Sequence, residues 1–308
     1  MAMSEEMRRD ENVFLMGEDV GIFGGDFGTS VGMLQEFGKE RVRDTPISEN
    51  AISGCAIGAA MTGMRPIVDV TFMDFIVYMM DNIVNQAAKT RYMFGGKGQV
   101  PVVFRCAAGS GVGAAAQHSQ SLEAWFAHLP GVVVVCPSTP QDNYALLRAS
   151  LQCGDPVVYM EHKTLWGAEG PVDESVTIPL GQAAVRRAGS DITIVSWSKQ
   201  ALVCAAACDT LAAQGIQAEL IDLRTIWPWD RDTVLASAAK TGRLLVVHEA
   251  IQAAGFGAEI AATAAEATGC KISRLGAPRI PVGYAPVLEA QSRVTADAIV
   301  ARVQQLLA

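Results

Sequence analysis

Short apolar runs rich in valine and isoleucine recur along the chain, separated by longer stretches with helical spacing of hydrophobic positions. Runs such as Val100 to Cys106 and Gly131 to Cys136 contain few polar residues, which is typical of strands buried on both faces of a parallel sheet. The alternation of such runs with helical stretches predicts an α/β fold built from doubly wound sheets.

Residues 1–162 are predicted to form a first doubly wound domain. Its expected strands are Val13 to Met16, Pro66 to Met73, Val100 to Cys106, Gly131 to Cys136 and Pro156 to Glu161. Its expected helices are residues 4–12, the helix that follows Ser48, and then Val77 to Tyr92, Leu122 to His128 and Gln141 to Gln152. Strands that alternate with helices in this way indicate a parallel sheet with helical crossovers.

Residues 163–189 are rich in glycine, proline and mixed charges, and this composition predicts a linker. A second alternation over residues 190–308 predicts another, smaller α/β domain. Its expected strands are Asp191 to Trp197, Gln217 to Leu223, Arg243 to His248 and Lys271 to Leu275. Its expected helices are Gln200 to Gln214, Asp230 to Lys240, Phe256 to Thr268 and Thr295 to Leu307.

Composition narrows the functional classes. The chain has 308 residues, a formal net charge of −8 and no basic run, which argues against nucleic acid or an anionic membrane surface as a partner. No apolar run approaches the roughly 20 residues of a membrane-spanning helix. The seven cysteines are scattered and the first residues are charged, which predicts a reduced cytoplasmic protein without a signal peptide.

The segment Asp44 to Gly63 contains a carboxylate, Glu49, at the predicted start of a helix made almost wholly of small residues. Glycine and alanine recur there at spacings of three and four, which predicts a helix face that another backbone can approach closely. Glycine costs a helix interior up to about 1 kcal/mol relative to alanine, so close approach is the expected reason for it. On spacing alone, Glu49 could equally serve only to stabilise the helix dipole.

Other candidate residues lie in loops and at strand ends. Gly21 to Gly32 lacks the Lys-Ser/Thr ending of a phosphate-binding loop, which favours a surface or interface loop. Gly109 to Gly113 follows a predicted strand, but the next strand ends without the acidic residue of a dinucleotide site. Phe75 lies near a strand end, where aromatic residues are more often core, and His118 could be a loop histidine bonded to a carbonyl.

The Asp44 to Gly63 segment, followed by Met73-Asp74-Phe75 and Gln117-His118-Ser119-Gln120, resembles the β subunit of the thiamine-diphosphate-dependent first component of 2-oxo acid dehydrogenase complexes. The resemblance covers essentially the whole chain. It implies two transketolase-like domains, a pyrimidine-binding domain and a C-terminal domain. Other family members are expected to have about one more strand and helix upstream of the first residue.

This resemblance implies roles for individual residues. Glu49 would hydrogen-bond a ring nitrogen of the aminopyrimidine, so that the cofactor's amino group can remove the proton from the thiazolium carbon. Phe75 would pack on the pyrimidine ring. His118 would assist proton movement and acyl transfer to the lipoyl group, a task that suits an imidazole at physiological pH.

The chain lacks the Gly-Asp-Gly motif, followed further on by Asn, with which thiamine enzymes hold Mg²⁺ and the diphosphate. The resemblance therefore implies that an α subunit holds both, in an α-β heterotetramer that serves a lipoyl-bearing acyltransferase core. Two rival functions stay open at this point. A self-sufficient transketolase-like enzyme would need the missing motif, and a non-catalytic assembly subunit would not need Glu49 or His118.

The resemblance also suggests a substrate and a structural cation. The segments Phe72 to Phe75, Arg91 to Gly96 and His118 to Gly131 are more similar to acetoin dehydrogenase β subunits than to the pyruvate or branched-chain ones. Against this, Cys106-Ala107-Ala108 and Leu165-Trp166-Gly167 depart from the family pattern. Backbone carbonyls of a possible potassium site would come from Val102, Ser150, Leu151, Cys153 and Asp155. The motif His248-Glu249-Ala250 is expected to stabilise the second domain and its subunit interfaces.

Overall fold

The computed structural model describes residues 1–308 and arranges them around two β-sheets. The strands are β1 (Val13–Gly17), β2 (Val42–Asp44), β3 (Arg65–Phe72), β4 (Val103–Ala108), β5 (Val133–Val135), β6 (Val157–His162), β7 (Ala184–Arg187), β8 (Ile192–Ser196), β9 (Ala218–Asp222), β10 (Thr225–Trp227), β11 (Arg243–Ile251) and β12 (Lys271–Ala277). The α-helices are α1 (Ala2–Arg9), α2 (Met33–Phe37), α3 (Glu49–Met61), α4 (Ala88–Met93), α5 (Glu123–Ala127), α6 (Pro140–Gln152), α7 (Ser198–Ala213), α8 (Arg231–Thr241), α9 (Gly257–Thr268), α10 (Pro286–Glu289) and α11 (Ala296–Leu307). None of the helices is both long enough and apolar enough to cross a membrane.

The first sheet has seven strands in the order β10-β5-β6-β4-β3-β1-β2. Its strands pair in parallel, except that β10 runs antiparallel to β5. In β1, Val13 and Leu15 belong to one hydrophobic cluster, and Phe14 and Met16 belong to another. The sheet is therefore buried on both faces, which explains the continuous apolar runs in the sequence.

The second sheet has five strands in the order β12-β11-β8-β9-β7. The edge strand β7 pairs antiparallel with β9, although its residues fall within the segment predicted as a linker. Conversely, β10 directly follows β9 of the second sheet in sequence but pairs with β5 of the first sheet. One hydrophobic cluster includes Phe104 from the first sheet and Val195 from the second. The two domains are therefore joined by strand pairing and by a shared core.

The helix predicted from Val77 to Tyr92 is not regular. A 3₁₀ segment covers Met73–Met79, a π-helical turn covers Asn82–Ala87, and only α4 is an ordinary α-helix. The Asn82 amide donates to the Asn50 carbonyl at 2.9 Å and to Ser53 Oγ at 2.8 Å. These bonds tie the π-helical turn to α3, and turns of this kind occur frequently at functional sites.

The small-residue helix α3 has one covered face and one open face. Ile52, Ala56 and Ala60 are buried, whereas Cys55 and Gly58 are exposed. A Cβ added at Gly58 would meet no atom within 4 Å. The close approach that the sequence predicts for this face is therefore not made by any part of this chain.

Candidate active site

Three aromatic rings meet beyond the end of β3. The ring centroid of Phe72 lies 4.7 Å from that of His118 and 5.6 Å from that of Phe75, and the Phe75 and His118 centroids are 5.3 Å apart. All three pairs meet edge to face. The fold thus brings together two residues that the sequence separates widely, Phe75 and His118, at the carboxyl edge of the first sheet. Ligands of α/β folds bind at such edges.

His118 is carried by residues 109–120, which we call the His118 loop. The loop leaves β4 and closes on itself, because the Gly109 N–H donates to the Gln120 carbonyl at 3.1 Å. The Gln120 side chain donates to Asp74 Oδ1 at 2.8 Å. Since Asp74 adjoins Phe75, this bond fixes the end of the loop beside the aromatic cluster.

Lys163, which the sequence analysis did not single out, also holds the His118 loop. Its Nζ donates to the His118 carbonyl at 2.7 Å and lies 5.6 Å from the centroid of the Phe72 ring. The side chain is buried, and this burial lowers the pKa of Lys163 to about 8, against the opposing influence of Asp74. The available signal was its place directly after an apolar strand, at the same sheet edge as Phe72.

Glu49 is the first residue of α3 and is half-buried. Helix α3 packs against β3 and against the 3₁₀ segment that carries Phe75, so Glu49 and Phe75 lie on neighbouring elements. No hydrogen bond or ion pair within the chain engages the Glu49 carboxylate. Burial and then the negative charge of Glu49 raise the pKa of Glu18, so the two carboxyl groups lie close enough to interact.

The surface around Glu49 is apolar. The Gly21 to Gly32 loop lies at the surface here, held by the Asp44 carboxylate, which accepts from the Gly21 N–H at 2.6 Å. Exposed side chains on this loop and before α3 are Ile22 (77%), Phe23 (72%), Val31 (71%) and Ile47 (81%). Exposed apolar side chains such as these, together with the open face of α3, are typical of a protein–protein interface.

With this geometry in hand, comparison with known proteins identifies the family. The Transketolase, pyrimidine binding domain model matches residues 1–168, and the Transketolase, C-terminal domain model matches residues 181–299. The acetoin:2,6-dichlorophenolindophenol oxidoreductase subunit beta of Bacillus subtilis (strain 168) is 43% identical over 99% of this chain and 94% of its own length. The chain belongs to the β subunits of the acetoin and 2-oxo acid dehydrogenases.

Other relatives in this β-subunit family are named for other substrates. The 2-oxoisovalerate dehydrogenase subunit beta of Bacillus subtilis (strain 168) is 42% identical over 99% of this chain and 96% of its own length. The mitochondrial pyruvate dehydrogenase E1 component subunit beta of Caenorhabditis elegans is 40% identical over 99% and 90%. The predicted family and the prediction of an oxidoreductase β subunit are therefore confirmed, and membership implies thiamine diphosphate as the cofactor.

A solved structure has the same fold as this chain. A split gene transketolase, described as an inactive beta4 tetramer, superposes with a TM-score of 0.84 and covers 99% of this chain and 95% of its own. At 22% identity, it shows the fold alone. The predicted pair of transketolase-like α/β domains is thereby confirmed.

Four of the carbonyls predicted for a potassium site also accept hydrogen bonds within the chain. The Leu151 carbonyl accepts from Arg65 Nη2 at 2.6 Å, and the Cys153 carbonyl accepts from the same nitrogen at 2.9 Å. The carbonyl of Val102 accepts from the Val157 N–H, and that of Ser150 accepts from the Cys153 N–H. Each carbonyl oxygen has a second lone pair, so a potassium site at these residues stays a prediction.

Glu249 contacts a different part of the molecule from the one that the sequence predicts. From the sequence, His248-Glu249-Ala250 is expected to stabilise the second domain and its subunit interfaces. In the structure, the Glu249 carboxylate lies beside the first domain, where it accepts from the Ser110 N–H at 2.6 Å and from His162 at 2.7 Å. His248, by contrast, is buried within its own domain and stacks on Trp197.

Proposed function

We propose that this chain is the β subunit of a thiamine-diphosphate-dependent acetoin or 2-oxo acid dehydrogenase whose cofactor binds across the interface with an α subunit. The observation that carries the proposal is the Glu49 carboxylate. It is free of partners within the chain, next to the segment with Phe75, and beside an apolar surface that the chain leaves uncovered. A site with these properties is complete only when a second chain covers it.

The residues present fit the pyrimidine half of thiamine diphosphate. When bound, this cofactor supplies the carbon nucleophile and the electron sink for breaking a bond next to a carbonyl. Glu49 would hold a proton at a pyrimidine ring nitrogen, and the Phe75 ring would pack on the pyrimidine.

His118 would serve the second half of the reaction. Its imidazole is half-buried between Phe72 and Phe75, and its backbone is anchored through the bond from Lys163 to its carbonyl. An imidazole in this position can give or take a proton while the acyl group passes to a lipoyl arm on the acyltransferase core. The α subunit would hold Mg²⁺ and the diphosphate, and the assembly would be a cytoplasmic α-β heterotetramer.

Acetoin is the substrate that we propose. Two features support this substrate. The first is the similarity of three segments to acetoin dehydrogenase β subunits, namely Phe72 to Phe75, Arg91 to Gly96 and His118 to Gly131. The second is the 43% identity to the acetoin oxidoreductase subunit. Branched 2-oxo acids and pyruvate are the competing substrates, because the relatives with those names are nearly as similar.

The decisive experiment co-expresses this chain with an α subunit that contains the Gly-Asp-Gly motif. Dye-linked oxidation of acetoin, pyruvate and branched 2-oxo acids is followed while thiamine diphosphate and Mg²⁺ are titrated. We expect activity only with both chains, and acetoin as the best substrate. We expect Glu49→Gln to lower kcat by about 10²- to 10⁴-fold, the usual contribution of general acid–base catalysis.

A matched control separates chemistry from helix stability. Glu259 lies in the first turn of α9, so Glu259→Gln removes a comparable favourable charge from a helix start in the second domain. This control should retain full activity. Activity of this chain alone would support a self-sufficient enzyme instead. Full dye-linked activity of Glu49→Gln, together with full acyl transfer to a lipoyl domain in His118→Ala, would support an assembly subunit.

A further inference from the structure

The His118 loop is held partly from outside its own domain. Its stem is the bond between the Gly109 N–H and the Gln120 carbonyl, and its first half follows that stem directly. Two carboxylates reach this first half, one from β11 and one from α10, both in the second domain. A surface loop usually relies on its own side chains and on solvent, so this external support calls for an explanation.

Glu249 holds the loop where it begins. Its Oε1 accepts from the Ser110 N–H at 2.6 Å and from the Ser110 hydroxyl at 3.0 Å. Its Oε2 accepts from His162 Nε2 at 2.7 Å. Since the Thr164 N–H donates to His162 Nδ1 at 3.2 Å, Nε2 must carry the ring proton. Both oxygens of Glu249 are therefore bound to donors of the first domain.

Glu289 holds the next turn of the loop. Its Oε1 accepts from the Gly111 N–H at 2.7 Å and from the Gly113 N–H at 3.2 Å. The residue is only 4% exposed, and Arg293 Nη2 lies 4.0 Å from its Oε2. Burying a carboxylate is costly unless donors surround it, and here backbone N–H groups of the His118 loop are those donors.

The electrostatics agree with this geometry. Burial pushes the pKa of Glu249 upward, but the hydrogen bonds from His162 and Ser110 outweigh burial and hold that pKa below its usual value. Glu249 is therefore an anion at neutral pH. Charged acceptors make hydrogen bonds about twice as strong as neutral ones, which suits a rigid support better than a simple domain contact.

We propose that Glu249 and Glu289 are positioning residues for His118, so that the second domain sets the geometry of the acyl-transfer step. This inference rests on the function proposed for His118. Both carboxylates accept hydrogen bonds from the loop that carries His118. Glu249 also accepts from His162, and the next residue, Lys163, donates to the His118 carbonyl. Lys163 and the two carboxylates thus hold the loop from two sides.

The test uses the assembled α-β enzyme and two assays. Dye-linked oxidation reports the steps before acyl transfer, and acylation of an isolated lipoyl domain reports the transfer itself. We expect Glu249→Gln and Glu289→Ala to lower acyl transfer at least about 10-fold while dye-linked oxidation falls less than about twofold. His118→Ala serves as the reference for a selective loss of transfer.

Conservative substitutions sharpen the test. In Glu289→Gln, the amide oxygen can still accept from Gly111 and Gly113, so transfer should recover relative to Glu289→Ala. In Glu249→Gln, the amide N–H groups would face either the Ser110 donors or His162 Nε2–H, so the loss should persist. The double variant Glu249→Gln/His118→Ala should transfer no more slowly than His118→Ala, because residues that act as a unit are not additive.

A buried carboxylate elsewhere in the second domain provides the control. Glu219 is 5% exposed and bonds to Ser237 and Lys240, with no contact to the His118 loop. Glu219→Gln should lower thermal stability without changing the ratio of the two activities. Hydrogen exchange supplies a readout that does not need turnover, since the Gly111 and Gly113 amides should exchange faster in Glu289→Ala than in Glu219→Gln.

The outcomes separate the inference from the function on which it rests. A loss of transfer in His118→Ala without any in Glu249→Gln or Glu289→Ala would overturn the inference alone. Parallel losses of both activities, matched by Glu219→Gln at equal loss of stability, would overturn it as well. Normal transfer in His118→Ala would overturn the role of His118 and, with it, the role of the two carboxylates.

Discussion

The Glu49 region and the His118 region differ in how far this chain completes them. The Glu49 carboxylate has no partner in the chain, and the small-residue face beside it is open. The His118 loop, in contrast, is bonded to Asp74, Lys163, Glu249 and Glu289, all within the chain. One half of the proposed site therefore needs a second subunit to close it, whereas the other half is already organised.

The pKa values of carboxyl groups in the two regions are also shifted in opposite directions. Near Glu49, burial and neighbouring negative charges raise the pKa values of Glu18 and Asp26. Near His118, donors outweigh burial and hold the pKa of Glu249 low. Glu18 and Asp26 therefore bind a proton more readily than usual, whereas Glu249 is an anion that holds the backbone of the His118 loop.

The largest expected difference between the two regions is in how strongly the α subunit protects them from solvent. Cys55 is the exposed cysteine on the open face of α3, so a thiol reagent should label it readily in the isolated chain. With the α subunit at about 100 times its dissociation constant, about 1% of the chain stays free, and labelling should slow about 100-fold. The half-buried Cys270 of the second domain is the comparison thiol.

Hydrogen exchange in the His118 loop should change little when the same complex forms, because intrachain bonds already hold it. If the α subunit left Cys55 equally reactive and instead protected residues 109–120, the division into an open half and an organised half would be wrong.

A second prediction concerns stability and has opposite signs in the two regions. Glu249→Gln should destabilise the isolated chain by about 1–3 kcal/mol at pH 7, because it leaves buried donors unpaired. The folded-state pKa of Glu249 is lowered, so the stability that this carboxylate contributes in wild type is fully present above its usual pKa of 4.5. That contribution is lost as pH falls through the folded-state pKa, and the difference between wild type and Glu249→Gln should shrink with it.

Glu18→Gln should instead stabilise the chain at pH 7, by less than about 1 kcal/mol. The folded-state pKa of Glu18 is raised, so its ionisation costs stability above that pKa and nothing below its usual pKa of 4.5. Thermal denaturation of both variants between pH 4 and pH 8 measures the two effects, and equal signs at pH 7 would refute the contrast.

The smallest predicted effect belongs to Lys163. Lys163→Met removes the donor to the His118 carbonyl, and we expect acyl transfer to fall about threefold, as for one hydrogen bond. The charged groups around this ammonium are Asp74, Glu249 and Glu289, with the Cys106 thiol nearby. Its pKa of about 8 predicts that wild-type transfer declines above pH 8, as the charge is lost, and that Lys163→Met lacks this decline.

Stability gives an independent check on Lys163. The folded state loses the Lys163 proton at about pH 8 and the unfolded state at the usual lysine pKa of 10.5, so wild-type stability should rise with pH between these values. The slope is at most about 1.4 kcal/mol per pH unit, and Lys163→Met should abolish that contribution. A pH–stability curve identical to that of wild type would show that the Lys163 ammonium is not desolvated.

Prediction from the sequence succeeded where the signal is local. The apolar runs specified β4, β6 and β11, because strands buried on both faces contain almost only apolar residues. It failed for β7 and β10, since strands of three or four residues at a sheet edge carry too little periodicity. It also missed the break between Met73 and Met93, because the bonds from Asn82 to α3 are contacts between distant segments.

The sequence by itself determined two α/β domains, the family and the residues Glu49, Phe75 and His118 as site candidates, because each depends on patterns within short segments. The tertiary structure alone decided which partners these residues have. Glu249 and Glu289 follow the His118 loop by more than 120 residues, and only folding brings their oxygens to within 2.7 Å of backbone N–H groups of that loop. Hydrogen bonds act over such distances only, so no pattern along the chain could specify them.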